Sequence, residues 1–358
     1  QNMETAKKIA IKIGSNVLTL ASGLPDKERI AHIVAQVADL KKAGFQVILV
    51  SSGAVAAGRS IANVQSSNAV SRRQVLASIG QIELMGIYNK EFIIHDLLCS
   101  QVLVTKESFR TRQHYLNIKN CLEALLENNV TPIINENDVV SITELMFTDN
   151  DELSGLVASM ITAESLILLS NVDGIYTAHP NEPGAELIKE YKDETVDLED
   201  SISDVKSEFG RGGMLTKANT AKQIASLGID VYIGNGNKNN IVKALLQKET
   251  GTFFKAAETN TSPIKKWVAQ AGDFSQAKII INQGAKEALL SSNASSVLPI
   301  GVVAIEGSFK KGDVINIFDE EKNNIGLGKV AYDSEKANSY IGQRDHNALV
   351  HYNYLFLN

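Results

Sequence analysis

Apolar runs alternate with segments of helical periodicity through the first two thirds of the chain. Runs of about four to eight apolar residues are typical of buried strands, whereas apolar residues at helical spacing indicate helices. Strands that alternate with helices predict an α/β protein, an αβα sandwich around a mainly parallel sheet. The predicted strands lie in KKIAIKIGS, FQVILVSSG, SQVLVT, VTPIINEND, SLILLSNVDGIYT and IDVYIGNG, and the predicted helices cover about 28–42, 70–92 and 115–127 and begin near 151 and 214.

The pattern changes after TGTFF, which ends at residue 254. A polar linker, ETNTSP, follows at residues 258–263. Beyond it, LPIGVVAIEGSFKKGDVINIF combines brief apolar runs with Gly and Gly-Asp turns, which is typical of a small β-rich module. We therefore predict two domains, at residues 1–258 and 262–358.

Small, polar and charged residues follow five of the predicted strands at their carboxyl ends. A single end of this kind is usually an ordinary turn. The carboxyl ends of parallel strands meet at one edge of the sheet, where ligands bind, so five together predict an active site. The five ends are 12–15 (KIGS), 51–53 (SSG), 135–138 (NEND), 170–171 (SN) and 234–236 (GNG).

A glycine-rich loop, GRGG at residues 210–213, precedes the helix predicted from about Met214. Glycines let the backbone approach an anion, and a helix start offers free N–H groups and the positive end of its dipole. Thr216 adds a hydroxyl and Lys217 a full charge. The spacing excludes both a P-loop and a dinucleotide fingerprint. The loop alone is compatible with a phosphate site and with a plain turn that caps a surface helix.

Composition indicates a globular enzyme. Of 358 residues, 44% are apolar and 21% charged, and the net charge is −6. A chain with this balance has no overall electrostatic footprint for nucleic acid.

The cysteines and the apolar runs indicate the cellular compartment of the protein. Cys99 and Cys121 fit neither a disulfide framework nor a zinc site, so we expect a reducing, cytoplasmic environment. Lys12 interrupts the apolar N-terminal run, so we expect no signal peptide. Glu164 breaks the best candidate for a membrane span, near 153–170, so we expect no membrane association.

Four motifs, in order and spacing, resemble those of bacterial glutamate 5-kinases. They are INENDVV, FTDNDELSGLVA, NVDGIYTAHP and GRGGMLTKANTA, and the N-terminal KIGSN and SSGAVAAG match as well. The segment 265–313 resembles the PUA domain that many members carry. The resemblance spans nearly the whole chain. It implies the amino-acid kinase fold with a PUA-like C-terminal domain, and phosphorylation of the γ-carboxylate of glutamate by Mg-ATP, the first step of proline biosynthesis.

The resemblance implies three catalytic residues. Lys12 would neutralise the transferring phosphoryl group, Lys217 would contact the nucleotide phosphates, and Asp151 would hold both lysines. The chemistry agrees with this assignment, because a γ-carboxylate with a pKa of about 4.3 is already ionised at pH 7 and needs no general base. The obstacle is the approach of an anion to a polyanion, which positive charge and positioning overcome.

The resemblance also implies the residues that bind the two substrates. Asp138 would bind the α-ammonium group of glutamate, Ser52 and Asn150 would bind the substrate through donors, and Gly53 would permit close approach. For Asn150, a plain helix N-cap is an open alternative. No residue is assigned as a ligand of Mg²⁺. The residues implied at ATP are Lys12, Ser170, Asn171, Arg211, Gly212, Gly213, Met214, Leu215, Thr216 and Lys217.

The chain departs from the family pattern at three places in the nucleotide and catalytic motifs. Arg211 stands where the family usually has a threonine, and Ser170-Asn171 replaces the usual Thr-Asp. Met146 stands where many members have a lysine. None of these removes a catalytic group, but their effect on nucleotide affinity is open. The C-terminal module is also shorter than the family's, and we expect a helical stretch to be missing around 336–345.

Two other functions compete with glutamate phosphorylation. The first is a sister kinase that acts on another acidic amino acid or on acetylglutamate, although an acetylated amine has no charge for Asp138 to bind. The second is RNA binding, since PUA domains elsewhere bind RNA. From Thr261 onward the chain has ten Lys or Arg and ten Asp or Glu, so we do not expect it to bind nucleic acid. The family further implies feedback inhibition by proline and a homo-oligomer, either dimer or tetramer.

Overall fold

The computed structural model describes residues 7–66, 68–110, 112–141, 150–178, 183–192, 214–258, 277–291 and 295–357, with 262, 265 and 268. The side chains of Arg110, Leu215 and Thr216 are outside this description. The chain divides into two compact units. The first comprises residues 1–105 and 120–260, and the second comprises residues 106–119 and 261–358. The domain limits at 258 and 262 remain our proposal.

A seven-stranded sheet is the centre of the first unit. Its strands are β1 (Lys8–Ile13), β2 (Gln46–Ser51), β3 (Leu98–Val104), β4 (Val130–Glu136), β5 (Ser165–Ser170), β6 (Asp230–Asn235) and β7 (Thr252–Phe254). Their order is β3-β4-β2-β1-β5-β6-β7. Strands β1 to β6 are parallel, and β7 is antiparallel to β6. The predicted mainly parallel sheet is therefore confirmed.

Nine helices connect these strands within the described ranges. They are α1 (Ser15–Leu18), α2 (Lys27–Lys42), α3 (Ala54–Ile61), α4 (Ala69–Ile94), α5 (Glu107–Arg110), α6 (Arg112–Glu127), α7 (Asn150–Met160), α8 (Met214–Ser226) and α9 (Ile241–Leu246). The five helices predicted from periodicity are present. The sequence patterns did not predict the short helices α1, α3, α5 and α9.

Helix α2 illustrates how local sequence produces these elements. The Asp26 carboxylate caps its start by accepting the backbone N–H of Arg29 at 2.9 Å. Lys41 and Lys42 in its last turn complement the negative end of the helix dipole. Its apolar residues, which recur at helical spacing, are buried against the sheet; they include Ile30, Ile33, Val34 and Val37.

Helices α3 and α4 pack unusually closely because glycines stand at their crossing. A Cβ on Gly80 would lie 1.7 Å from the carbonyl oxygen of Ala54, and one on Gly58 would lie 1.9 Å from that of Leu76. The Tyr88 hydroxyl also bonds to Ser51 Oγ at 3.0 Å, which ties α4 to the end of β2. Burial raises the pKa of Tyr88, so this hydroxyl stays protonated. These contacts fix α4 beside the sheet edge.

The second unit has its own sheet and core. Its strands are β8 (Lys278–Ile281), β9 (Val302–Glu306), β10 (Val314–Asp319), β11 (Asn324–Val330) and β12 (Val350–Leu357). They pair in the order β12-β11-β10-β8-β9. Ile279, Ile281, Ile315 and Ile317 are buried in its core. Helix α10 (Gln283–Leu290) and a short 3₁₀ turn (Pro299–Gly301) complete its first half. The predicted small β-rich module is confirmed.

We expected a helix to be missing around 336–345, and this is wrong for residues 336–340. Ser334–Tyr340 form helix α11. Ala337 is buried there, and the ring of Tyr340 packs edge-on against that of Tyr332 at 5.7 Å. The segment SEKANSY has little apolar periodicity, so tertiary packing, which the sequence pattern does not display, stabilises this helix.

No helix in the described parts of the chain combines the length and the apolar character needed to cross a membrane.

Candidate active site

A buried triad of one aspartate and two lysines lies at the carboxyl edge of the first sheet. Lys12 is near the end of the central strand β1, level with Val50 and Leu168 on the neighbouring strands. Asp151 is in the first turn of α7, and Lys217 is in the first turn of α8. Lys12 Nζ lies 2.6 Å from Asp151 Oδ1, and Lys217 Nζ lies 2.5 Å from Asp151 Oδ2. One carboxylate thus holds both ammonium groups.

Burial makes this triad electrostatically strong. Asp151 is 0% exposed, Lys12 2% and Lys217 9%. Burial on its own raises the pKa of the Asp151 carboxyl, but the charges and hydrogen bonds of the two lysines outweigh it and hold that pKa well below its ordinary value. With Asp151 ionised, the triad carries one net positive charge. A buried positive charge at the sheet edge attracts an anion strongly, because little water screens it.

The residues at the ends of β2 and β4 converge on Asn150, which immediately precedes Asp151. Asn150 Nδ2 lies 2.9 Å from the carbonyl oxygen of Ser51, 2.9 Å from Ser52 Oγ and 3.2 Å from Asn135 Oδ1. The amide therefore joins the start of α7 to two strand ends. Asn150 thus cross-links α7 to the ends of β2 and β4, a role that goes beyond that of a plain helix N-cap.

Gly53 has a backbone conformation that favours glycine. Its φ is 99°, in the left-handed region, at the start of α3. The chain turns there from β2 into the helix, and both Ser52 and Gly53 line a cleft.

A cleft of about 360 Å³ brings the predicted substrate residues together. Ser52, Gly53, Asp138 and Asn150 all line it, and so do Arg59 and Arg73. The Arg73 guanidinium bonds to the Asp138 carboxylate, with Nη2 at 2.7 Å from Oδ1. No sequence motif marks Arg73. It stands in SRRQ on a helix with no recognised motif, and its partner is 65 residues away.

The predicted nucleotide residues that the structure describes follow β5 and begin α8. Ser170, at the end of β5, is buried, and its Oγ accepts the backbone N–H of Val172 at 3.3 Å. Asn171 is exposed. The first turn of α8 consists of residues 214–217. The predicted residues Arg211, Gly212 and Gly213, and the departure at Met146, lie outside the described residues.

Asp173, which lies in the NVDGIYTAHP motif, is a further polar residue at this edge. Its Oδ1 accepts bonds from Lys238 Nζ at 2.8 Å and from Asn235 Nδ2 at 3.0 Å. The hydrogen bond from Lys238 and that from Asn235 lower the pKa of the Asp173 carboxyl. Asn171 replaces the aspartate that is usual in the family, and Asp173 provides a carboxylate two residues further along the chain.

Among the described residues, no group of three or more His, Cys, Asp or Glu side chains is arranged to hold a metal ion.

Comparison with known proteins gives the class of the protein. The amino acid kinase family model matches residues 7–235, and the PUA domain model matches residues 277–349. The carbamate kinase from Giardia lamblia, in a structure bound to AMP-PNP, shares the fold with a TM-score of 0.50. It is 20% identical and covers 71% of this chain and 100% of its own. Sheet topology and family match together define a kinase with the amino-acid kinase fold.

The full-length relatives narrow this class. The glutamate 5-kinase of Bacteroides thetaiotaomicron is 46% identical over 355 residues, 98% of each chain. That of Chlorobaculum tepidum is 45% identical over 354 residues, covering 98% of this chain and 97% of its own. The chain belongs to the amino acid kinase family and, within it, to the glutamate 5-kinases. The resemblance noted in the motifs is confirmed.

Proposed function

We propose that this protein transfers the γ-phosphoryl group of ATP to the γ-carboxylate of L-glutamate, giving γ-glutamyl phosphate in the first step of proline biosynthesis. The observation that carries the proposal is the buried triad, in which Asp151 holds Lys12 and Lys217 beside a polar cleft. A site that combines two ammonium groups with little water is suited to transfer between anions. Family membership supplies the identity of the acceptor.

The reaction needs charge rather than a base. The γ-carboxylate is ionised at neutral pH, so it attacks phosphorus without losing a proton. Lys12 and Lys217 balance the negative charge on the transferring group and on the leaving phosphate oxygens. Asp151 keeps the two ammonium groups in place and lowers their mutual repulsion. Mg²⁺, which is usually held through substrate phosphates with few protein ligands, would enter with ATP and add further positive charge.

We place the nucleotide phosphates at the start of α8. The free N–H groups of a helix start favour an anion there. On this proposal the backbone N–H groups at the start of α8 and the Lys217 side chain contact the phosphates, and Ser170 and Asn171 contact the rest of the nucleotide.

We place glutamate in the cleft, between Asp138 and the triad. The Ser52 hydroxyl and the backbone N–H of Asn150 donate hydrogen bonds to it, since the side-chain amide of Asn150 already bonds to Ser51, Ser52 and Asn135. The open backbone at Gly53 lets the substrate come close. Asp138 binds the α-ammonium group. The extensive hydrogen bonding of Asn150 at 2.9 Å to Ser52 and to Ser51 supports this arrangement, because it fixes these donors before the substrate arrives.

A substrate comparison tests the function. ADP release from the full chain, with Mg-ATP, should be fast with glutamate and slow with N-acetylglutamate and aspartate. N-Acetylglutamate lacks the ammonium group, and aspartate has one methylene group fewer between its ammonium group and its distal carboxylate. Faster turnover with N-acetylglutamate than with glutamate would establish the sister-kinase alternative, which the relatives do not favour.

An Asp138→Asn variant should raise KM for glutamate by about 10- to 100-fold and leave KM for ATP nearly unchanged. The expected size is that of a lost hydrogen bond between charged groups. Steady-state kinetics with each substrate varied in turn would measure it. Asp96→Asn is the matched control, because it makes the same chemical change at an exposed loop position whose φ of 55° asparagine tolerates. Equal changes in both KM values would rule out Asp138 as the ammonium ligand.

Three further properties are proposals from the family. We infer inhibition by proline, self-association into dimers or tetramers, and a cytoplasmic location. Inhibition curves with proline, and light scattering of the purified protein, test the first two.

A further inference from the structure

The Arg73–Asp138 ion pair has properties that a purely structural bridge does not require. It joins helix α4 to the turn after β4, and both side chains line the cleft. The Asp138 side chain is 10% exposed and that of Arg73 is 37% exposed. Arg73 Nη2 bonds to Asp138, while Arg73 Nε is buried and has no hydrogen-bond partner among the described residues. The guanidinium therefore has donor capacity that the ion pair does not use.

We propose that Arg73 binds the α-carboxylate of the amino-acid substrate, so that Arg73 and Asp138 together recognise its zwitterionic end. The inference rests on the proposed function, in which Asp138 binds the α-ammonium group. An α-amino acid carries its ammonium and carboxylate groups on one carbon atom. Two protein charges of opposite sign that touch each other match this pair of groups. The planar guanidinium fork also suits a carboxylate, which it can bind through two parallel hydrogen bonds.

Exchange of partners keeps every charge compensated. Without substrate, Arg73 and Asp138 neutralise each other. With substrate, Asp138 gains an ammonium group and Arg73 gains a carboxylate, so no buried charge is left alone. Arg73 is 37% exposed, so water can solvate its guanidinium while it moves from Asp138 to the substrate carboxylate.

This arrangement predicts selectivity against each incomplete substrate. Isoglutamine, the α-amide of glutamate, keeps the ammonium group and the γ-carboxylate but offers Arg73 no anion. N-Acetylglutamate keeps the α-carboxylate but offers Asp138 no cation. A site built for both charges rejects an analogue that leaves one of its own charges without a partner.

The test compares Arg73→Gln with Arg72→Gln in the full chain, using glutamate and isoglutamine as acceptors. Arg72 is the preceding residue on α4, and it bonds to the Ser66 carbonyl oxygen rather than to Asp138. Arg73→Gln should raise KM for glutamate by about 10- to 100-fold with kcat changed only a few-fold, the scale expected for a charged hydrogen bond. The kcat/KM for isoglutamine should change little, so the preference for glutamate should fall. Arg73→Lys should restore part of the loss.

Three results would overturn the inference. These are an equal loss with glutamate and isoglutamine, a loss in kcat at unchanged KM, and kinetics for Arg73→Gln that match those of Arg72→Gln. The first would mean that Arg73 only supports the turn that carries Asp138, and the second that Arg73 acts on the reaction step and not on substrate binding. If no variant turns over isoglutamine detectably, the test rests on glutamate alone. A raised KM for glutamate in Arg73→Gln that Arg73→Lys partly restores then supports the inference, and an unchanged KM overturns it. A wild-type protein without glutamate turnover would instead refute the proposed function itself. Thermal unfolding of each variant checks that it is folded.

Discussion

A Lys217→Ala variant should stay folded and lose about two to three orders of magnitude in kcat. Loss of one preorganised donor to a developing negative charge typically costs this much. Lys217 is nearly buried, so water cannot replace its charge well. The remaining Lys12–Asp151 pair is neutral and still bonded at 2.6 Å, which is why the fold should tolerate the change. Single-turnover kinetics with Mg-ATP and glutamate, beside circular dichroism, would measure both effects.

The matched control is Lys222→Ala. Lys222 stands on the exposed side of the same helix, so its removal tests a charge change on α8 away from the triad. Its kcat should stay within a few-fold of the wild type. Lys12→Ala should behave like Lys217→Ala, because both lysines contact Asp151. Near-normal kcat in a folded Lys12 or Lys217 variant would remove that lysine from the catalytic assignment.

An Asp151→Asn variant should abolish most activity and also lower the free energy of unfolding by about 3–5 kcal/mol. Removing one partner of a buried ion pair leaves uncompensated charge in the interior. Here two ammonium groups would remain side by side, whereas the wild type holds both on one carboxylate. Urea denaturation at neutral pH measures the loss. An unchanged midpoint would show that the triad is much better solvated than its burial indicates.

A triple variant separates the structural from the catalytic role of the triad. Lys12→Met and Lys217→Met combined with Asp151→Leu remove all three charges while keeping similar volumes. Apolar replacement of a whole buried ionic group is often neutral or stabilising. We expect this variant to regain most of the stability lost in Asp151→Asn and to remain inactive.

The pH dependence of stability should also differ between the wild type and Asp151→Asn. The pKa of Asp151 lies below its ordinary value of 3.8 in the folded protein. Its stabilising contribution is therefore fully present above the ordinary value and is lost as the pH falls from there through the folded pKa. The variant lacks this component, so the stability difference between the two proteins should shrink below about pH 4. A difference that stays constant down to pH 2 would contradict the depressed pKa.

The sequence alone determined the general architecture of this protein. Alternating apolar runs and helical periods report which residues are buried, and they gave all six parallel strands and the long helices. The periodic pattern was less informative for short elements. Strand β7 has three residues and helix α3 has eight, which are too few to show a hydrophobic period. The antiparallel direction of β7 depends on its pairing with β6, which the sequence pattern does not show. Helix α11 was missed for a similar reason, because packing rather than periodicity stabilises it.

For the candidate site, the sequence identified individual residues, whereas the structure showed which of them are in contact. The strand end at 12–15 drew attention to Lys12, the glycine-rich loop to Lys217, and the resemblance to the glutamate 5-kinases to Asp151. Their contact is a property of the tertiary structure, since Asp151 and Lys217 are 66 residues apart in sequence and still lie 2.5 Å apart in space. The pairing of Arg73 with Asp138, 65 residues apart, gave no signal in the sequence. Burial patterns specify which face of an element is covered, whereas the fold alone decides which charges meet.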